Sequence, residues 1–197
     1  STTRQRMDQP STIDIYSGKL DFVLPTAHKM KYEFGAKSSY VTTDNDFTFE
    51  NFVDGTWAND AGKTNHFKYT EMVNALYVNT GYKWEKWAVQ GGLRLEHTYS
   101  DGHSITSSER NKRNYLNLFP TLFVNQTINE ENSIRYSYSK RIDRPNYEQL
   151  NPFLFFLDPY TYEVGNPFLQ PQFTDSYEVT YTLKNTYSLA LAYADTR

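Results

Sequence analysis

Long stretches in which apolar and polar residues alternate are the feature that most constrains the fold of this chain. The alternation is cleanest over residues 177–184, and it recurs over residues 187–193, 134–139, 87–96 and 30–37. Successive side chains of a β-strand point to opposite faces, so this period predicts strands with one apolar and one polar face.

The spacing of these stretches predicts a meander of about eight long strands. We place the strands near residues 12–24, 30–42, 67–80, 86–99, 114–127, 133–144, 172–183 and 187–197. Short turns near 25–29, 81–85, 128–132 and 184–186 alternate with long loops near 43–66, 100–113 and 145–171. Transmembrane barrels combine strands of about 9–11 residues with short turns at one end and longer loops at the other. The predicted fold class is therefore all-β, an antiparallel up-and-down meander that is a fragment of a transmembrane β-barrel.

Two irregularities interrupt this pattern. Residues 67–80 and 115–127 carry apolar side chains on both faces. Near the start of the chain, Ile13 and Ile15 fall on the opposite side of a regular strand from the apolar residues that follow at positions 20–24. A β-bulge shifts the phase of a strand in this way, so we predict a bulge in this segment.

Composition agrees with a membrane barrel and excludes other classes. Aromatic residues make up 17% of the chain, although all hydrophobic residues reach only 38%. Aromatic residues lie at predicted strand ends, with Trp84, Trp87 and Tyr187 near short turns and Tyr40, Tyr99 and Tyr138 towards long loops. Such belts are typical of the two membrane interfaces. No apolar run is long enough for a spanning helix, and a net charge of −3 gives no basic surface for nucleic acid.

A soluble up-and-down barrel stays open as an alternative from the residues alone. Alternation does not say which face points inward, and a soluble barrel turns its apolar face inward to hold a small molecule. Strand length, the alternation of short and long connections and the aromatic belts favour the membrane barrel.

Two segments resemble a known family of membrane barrels. Residues 136–153 include an Arg-Pro pair, and residues 165–171 read Gly-Asn-Pro-x-Leu-x-Pro. The matching positions are Arg144, Pro145, Gly165, Asn166, Pro167, Leu169 and Pro171. The chain resembles the late barrel of TonB-dependent receptors, and more narrowly the outer-membrane β-barrel family abundant in Bacteroidetes. Weaker matches follow in the expected order at residues 20–25, 74–78, 92–96 and 117–121.

The resemblance implies a role, a location and partners. Such proteins are receptors of the bacterial outer membrane that import a scarce extracellular ligand, and the resemblance implies neither an enzyme nor a cofactor. Their partners are outer-membrane lipid, a plug inside the barrel, TonB and the ligand, which is a siderophore, a cobalamin, a peptide or a glycan. Since the family barrel has about 22 strands, we expect residues 1–197 to be a partial barrel without the plug.

The loop near 145–171 is the main candidate for ligand binding. Its candidate contacts are Phe153, Phe155, Phe156, Asp158, Tyr160 and Tyr162. Exposed aromatic rings with a few polar groups suit recognition of a ligand at the cell surface. The alternative is a loop cap whose aromatic side chains bury one another, because long loops often pack on their own side chains.

Acidic residues in the loop near 43–66 raise the question of calcium. The carboxylates are Asp44, Asp46, Glu50, Asp54 and Asp60. Carboxylate oxygens at short spacing bind calcium, but these lack the EF-hand order around a central glycine. A solvated acidic loop explains them more simply, so we predict no metal site.

A second cluster raises the question of an outer-membrane hydrolase. His97, Asp101, His103 and Ser104 follow one predicted strand. A nucleophile needs a base that a third group orients, and closeness in the sequence does not supply that geometry. A polar extracellular loop is the simpler interpretation.

Overall fold

The computed structural model describes residues 4–26, 30–158 and 161–197, without the side chains of Pro25 and residues 154–158. The strands are β1 (Gln5–Asp8), β2 (Ser11–Pro25), β3 (Met30–Val53), β4 (Thr56–Asn59), β5 (Asn65–Trp84), β6 (Trp87–Ser104), β7 (Glu109–Thr127), β8 (Ser133–Asp143), β9 (Leu154–Asp158), β10 (Thr161–Val164), β11 (Gln172–Leu183) and β12 (Tyr187–Thr196). One short helix, α1 (Tyr147–Leu150), lies between β8 and β9. Nowhere in the described ranges is a helix long and apolar enough to cross a membrane.

Ten strands form one antiparallel sheet in which neighbours along the chain pair. β1 and β2 both lie along β3, and the order then runs β5, β6, β7, β8, β11 and β12. β4 pairs with the end of β3, and β9 pairs with β10 in a separate hairpin. Over the part of the chain that is described, no pairing joins β2 to β12, so the sheet is open. The predicted all-β antiparallel meander is confirmed.

At the end of the sheet that carries the long connections, the strands extend beyond the bounds that the sequence pattern predicted. β3 has 24 residues and β5 has 20, so both continue into the segment near 43–66. β6 and β7 enter the segment near 100–113 and leave residues 105–108 as the connection. At about 3.3 Å per residue β3 spans roughly 80 Å, against about 30 Å for the hydrocarbon core. Much of β3 therefore stands clear of lipid, where an apolar outer face is not required.

Connections at the opposite end are short. Residues 85–86 join β5 to β6, residues 128–132 join β7 to β8, and residues 184–186 join β11 to β12. In the last of these, Lys184 and Asn185 have φ values of 52° and 51°. Positive φ at two successive positions is the geometry of a type I′ turn, which matches the right-handed twist of the flanking strands.

The two faces of the sheet differ in shape and in chemistry. Lys19 of β2, Arg94 of β6 and Ser137 of β8 line one cavity of about 810 Å³, which requires the face they share to be concave. The convex face exposes apolar side chains, among them Leu20, Phe22, Leu76, Leu95, Leu118, Val179, Leu189 and Leu191. A barrel in lipid has an apolar outside and a polar interior. The soluble alternative, which needs its apolar face inside, is therefore wrong.

Aromatic side chains mark both edges of the apolar band. Trp84 and Trp87 are cross-strand partners beside one short turn. Tyr16 and Tyr40 are cross-strand partners near the other edge. Met72 of β5 pairs with Tyr40 and so marks the level of this edge on β5, twelve residues before Trp84. Twelve residues rise about 40 Å along a strand, or about 30 Å along the axis of a barrel with strands tilted by about 40°. This separation matches the thickness of a bilayer core.

The bulge predicted near the start of the chain is absent. β2 pairs with β3 in unbroken register over residues 11–25, so that prediction is wrong. Ile13 shares the concave face with its partner Thr43, and Ile15 lies two residues further along the same face. The phase of the sequence pattern changes because the apolar side of β2 changes, while the backbone stays regular. Near lipid the apolar side is convex, and beyond the tyrosine belt it is concave.

Candidate functional site

The long connection between β8 and β11, residues 144–171, folds over the concave face of the sheet. Leu150 of α1 is 7% exposed and packs with Phe67 and Tyr69 of β5 in a small apolar cluster. Burial, followed by the nearby Glu71 carboxylate, raises the pKa of the Tyr69 hydroxyl above its ordinary value. The loop that the sequence nominates for ligand binding is thus attached to the interior of the curved sheet.

Two further contacts join this loop to the wall beside β3 and β5. Asn65 Nδ2 donates a hydrogen bond to Asn151 Oδ1 at 3.2 Å. Phe153 packs against Phe47, with ring centroids 6.4 Å apart. Asn65 and Phe47 are both buried, so the loop covers side chains that the wall alone would leave open to solvent.

α1 is a single turn that is held at both ends. At its start, Asn146 and Gln149 form a reciprocal capping box, with hydrogen bonds of 2.9 and 3.0 Å. At its end, Gly165 N donates to Asn151 O at 2.9 Å, and Asn166 N donates to Gln149 O at 2.7 Å. A Cβ at position 165 would lie 2.4 Å from Asn151 O, so the approach of the two backbones requires glycine.

Arg144 ties the start of the loop to the wall. Its Nη2 donates to Glu96 Oε2 at 2.6 Å and to Thr98 Oγ1 at 3.0 Å. Arg94 also pairs with Glu96, with Arg94 Nε 2.9 Å from Glu96 Oε1. One carboxylate, 9% exposed, therefore holds two guanidinium groups. Pro145 follows the end of β8, where the sheet loses no hydrogen-bond donor.

The end of the loop is tied to β7 through backbone carbonyls. Pro167 O accepts hydrogen bonds from Asn111 Nδ2 at 2.5 Å and from Arg113 Nη2 at 2.6 Å. Leu169 O accepts a further hydrogen bond from Arg113. Pro171 then precedes the first residue of β11. The motif residues that carried the family resemblance are thus the points at which the loop is attached.

Two clefts lie between this loop and the wall. The first, of about 210 Å³, is lined by Phe67, Tyr69, Leu150, Arg113, Pro167 and Phe168 among others. The second, of about 610 Å³, is lined by Asn45, Phe47, Tyr147, Asn151, Phe153 and Glu163 among others. Both combine aromatic surface with a few polar groups, which is the usual composition of a ligand site.

The structure describes the side chains of only some of the residues predicted to contact ligand. Phe153 lines the second cleft, and Tyr162 of β10 is exposed. Phe155, Phe156 and Asp158 lie on β9, and their side chains are outside the described part of the structure. Tyr160 also lies outside the described residues. Ligand contact by these residues stays a prediction.

Sequence reasoning missed the part of the site that the wall supplies. Phe47, Phe67, Tyr69 and Glu96 come from three different strands and are brought together by cross-strand pairing. For Phe67 and Tyr69, the signal in the sequence is the apolar character of both faces of the segment 67–80. Side chains on the second face of that segment are those that the loop covers.

The residues considered for a hydrolase do not form a catalytic group. His97 and Asp101 lie on the convex face with His103, whereas Ser104 lies on the concave face and is buried. Asp101 forms a salt bridge with Arg110 at 2.6 Å, and this bond holds the pKa of the Asp101 carboxyl below its usual range. The serine and its would-be base are thus on opposite sides of one strand.

Two of the five acidic residues near 43–66, Asp44 and Glu50, form ion pairs. Asp44 contacts His66 at 2.7 Å and Lys68 at 3.0 Å, and Glu50 contacts Arg6 at 2.5 Å. Among the described residues no group of three or more His, Asp or Glu is arranged to hold a metal ion.

Comparison with protein-family models places the whole chain in one group. The model of the outer membrane protein beta-barrel family matches residues 1–197. A search of curated proteins returns no match. The matched family is one of membrane barrels rather than enzymes.

Solved structures with the same fold include a transporter and an uptake receptor. The ferric citrate transporter FecA in its unliganded form aligns with a TM-score of 0.64 at 10% identity, over 98% of this chain and 28% of that one. The ferric yersiniabactin uptake receptor FyuA from Yersinia pestis aligns with a TM-score of 0.65 at 12% identity, over 98% and 30%. The chain thus spans about three-tenths of the length of each, and at these identities the likeness establishes the fold alone.

Proposed function

The chain belongs to the outer membrane protein β-barrel family, and from this we propose that it forms part of the wall of a TonB-dependent receptor that imports a scarce extracellular ligand. The outer membrane is the location that the family gives it. The import role rests on the family motif and on the fold shared with a transporter and an uptake receptor.

The observation that carries this proposal is the inward fold of the loop between β8 and β11. A wall that only spans the membrane has no need of a loop fastened to its interior by Arg144, Gly165 and the Pro167 carbonyl. The arrangement leaves two clefts on the concave side, where a ligand that enters from outside meets the wall first.

The proposal assigns an orientation and partners to the chain. The short turns at 85–86, 128–132 and 184–186 face the periplasm, and the loop at 144–171 faces the exterior. Lipid covers the convex face between the aromatic belts. A plug from the same protein occupies the concave side, and TonB acts on that plug to power import.

Dependence of uptake on TonB tests the import role. The full-length protein is compared with a deletion of its gene in the native host, with and without TonB. The probes are radiolabelled ferric chelates, radiolabelled cobalamin, a labelled peptide mixture and a labelled oligosaccharide mixture. We expect accumulation of one probe to fall to background when either gene is lost, with no further fall when both are lost.

Two outcomes would contradict the import role. One is that deletion of the gene changes the accumulation of none of the probes. The other is that deletion lowers accumulation equally in cells that have TonB and in cells that lack it, which is the behaviour of a passive pore.

A further inference from the structure

The cleft of about 610 Å³ between the loop and the wall contains a buried polar atom without a partner. Asn65 of β5 lines this cleft and is 1% exposed. Its Nδ2 donates to Asn151 Oδ1 at 3.2 Å, but no group in the described part of the chain donates a hydrogen bond to Asn65 Oδ1. A buried acceptor without a donor is destabilising. The cleft therefore offers an acceptor that a donor on a bound ligand would satisfy.

This cleft lies outside the membrane-spanning part of the wall. Asn65 is seven residues beyond Met72, which marks the tyrosine edge of the apolar band on β5. Seven residues rise about 23 Å along a strand. One side of the cleft is the wall and the other is the loop, so it is separate from the interior at bilayer level that we assign to the plug.

Amide side chains dominate the polar lining of the cleft. Of the described residues that line it, five carry amides, namely Gln9, Asn45, Asn65, Gln149 and Asn151. An amide offers both a donor and an acceptor, and so does a hydroxyl group. A ligand rich in hydroxyl groups can therefore match this lining, whereas an anion offers only acceptors and an ammonium group only donors.

The charged groups of the lining are carboxylates. Among the described lining residues these are Glu148 and Glu163, and that set includes no lysine, arginine or histidine. Glu148 Oε1 accepts a hydrogen bond from Tyr147 Oη at 3.2 Å, and Glu163 is exposed on β10. Carboxylates repel a ligand that carries carboxylate or phosphate groups. They accept strong hydrogen bonds from hydroxyl groups.

Aromatic rings supply the apolar part of the lining. Phe47 of the wall and Phe153 of the loop have ring centroids 6.4 Å apart and are tilted by 52°, and Tyr147 of α1 also lines the cleft. A sugar ring has apolar C–H faces and a rim of hydroxyl groups. Its faces can pack on aromatic rings while its rim bonds to amides and carboxylates.

We infer that this cleft binds sugar units of a neutral oligosaccharide. The inference rests on the proposed import function and names the chemical class of the ligand. A hydroxyl group of the sugar donates to Asn65 Oδ1, and its ring packs beside Phe153.

Binding to the purified full-length protein in detergent tests this inference. The protein is applied to an array of neutral oligosaccharides built from glucose, xylose, mannose or galactose. Ferric citrate and spermidine are the anionic and cationic competitors. We expect at least one neutral oligosaccharide to bind and neither competitor to displace it. Its affinity should change less than two-fold between about 0.05 and 0.5 M salt, because the ligand carries no charge.

Three variants locate the bound oligosaccharide. Asn65→Leu and Phe153→Leu are each expected to weaken its binding about ten-fold, and Glu163→Gln about three-fold. Phe52→Leu is the matched control for the lost ring, because Phe52 lies at the same end of the sheet but lines neither cleft. The urea midpoint of each variant shows whether the fold is kept. Glu163→Gln tests the cleft through an exposed side chain if the other two variants fail to fold.

Three results would overturn the inference. The wild type could bind none of the neutral oligosaccharides. Spermidine or ferric citrate could displace the bound oligosaccharide, which assigns the site to a charged ligand. All three variants could keep the wild-type affinity, which places the oligosaccharide elsewhere.

The purified protein is tested without TonB, so failure of this inference is distinguishable from failure of the import role. Oligosaccharide binding without TonB-dependent uptake would uphold the inference and contradict the import role. TonB-dependent uptake of another probe, with no oligosaccharide bound, would do the reverse.

Discussion

Replacement of Gly165 with alanine is expected to detach the loop between β8 and β11 from the concave wall. The added Cβ would lie 2.4 Å from Asn151 O, 2.6 Å from Glu148 O and 2.7 Å from Gln149 O. All three are backbone atoms, so the chain itself must move. That movement breaks the hydrogen bonds that Gly165 and Asn166 donate to the end of α1. Overpacking and two lost bonds together cost about 2–4 kcal/mol.

Limited proteolysis of the full-length protein measures the detachment. The loop has no lysine or arginine between residues 145 and 171, so trypsin does not report on it, but its aromatic residues are sites for chymotrypsin. We expect chymotrypsin to cut the Gly165→Ala loop about ten-fold faster or more, because about 1.4 kcal/mol is a factor of ten in an opening equilibrium.

A second glycine provides the control for this substitution. Gly62 also lies in a connection at the same end of the sheet, and a Cβ there would meet only Asp60 Oδ1 at 3.4 Å. Gly62→Ala is therefore expected to leave the cleavage rate unchanged. Equal rates for Gly165→Ala, Gly62→Ala and the wild type would show that Gly165 does not hold the loop.

Replacement of Glu96 with glutamine is expected to destabilise the barrel wall and the loop together. The substitution removes the one carboxylate that holds Arg94 and Arg144, and it leaves two guanidinium groups facing each other. Removal of one partner from a fully buried pair costs about 3–5 kcal/mol. The Arg144 side chain is 21% exposed and that of Arg94 is 47% exposed, so water screens part of the loss and we expect about 2–3 kcal/mol.

The urea concentration at which the full-length protein unfolds measures this loss. Glu130→Gln, in the exposed turn between β7 and β8, is the control and is expected to leave the midpoint unchanged. Glu96→Gln should lower the stability less in an Arg144→Gln background, because the arginine that loses its carboxylate partner is then absent. An equal cost in both backgrounds would mean that Arg144 and Glu96 do not stabilise each other.

The sheet was predictable because its pattern is local. Alternation over residues such as 177–184 arises from a single strand with lipid on one side. A turn such as 184–186 is recognisable from its polar residues alone. Strand order followed, because each strand of a meander pairs with its neighbour along the chain. The edges of the apolar band were visible in the same way, since Trp84 and Trp87 flank one short turn.

The bounds of the strands beyond the bilayer were not predictable from that pattern. Lipid imposes an apolar outer face only along part of β3, and the rest of its 24 residues meets water and the loop. There the apolar side moves to the concave face, as at Ile13 and Phe47. In the sequence, the move of the apolar residues from one face to the other gives the same pattern as a bulge, although the backbone is regular.

The sequence showed the motif residues of the loop, but not the contacts by which they attach it to the wall. Arg144 and Glu96 are 48 residues apart in the chain, and no local pattern connects them. Gly165 likewise looks like ordinary turn chemistry until its contact with the carbonyls of α1 is seen. Non-local contacts of this kind depend on where the sheet carries each strand, and a local pattern of residues does not show that.

The central claim is that the convex face of the sheet meets lipid and the concave face lines the interior. These 197 residues contain no cysteine, so one introduced thiol gives one labelled position within them. Leu191 and Ala192 are adjacent on β12, both are exposed, and they point to opposite faces. Replacement of either by cysteine allows attachment of a nitroxide spin label in the full-length protein reconstituted into lipid vesicles.

Accessibility of these two labels to oxygen and to a water-soluble nickel chelate tests the claim directly. Oxygen concentrates in hydrocarbon, whereas the chelate stays in water. The label at position 191 is predicted to collide mainly with oxygen, and the label at position 192 is predicted to collide far less with oxygen. A label at position 191 that collides freely with the chelate, or a reversal of the two positions, would contradict the assignment of the convex face to lipid.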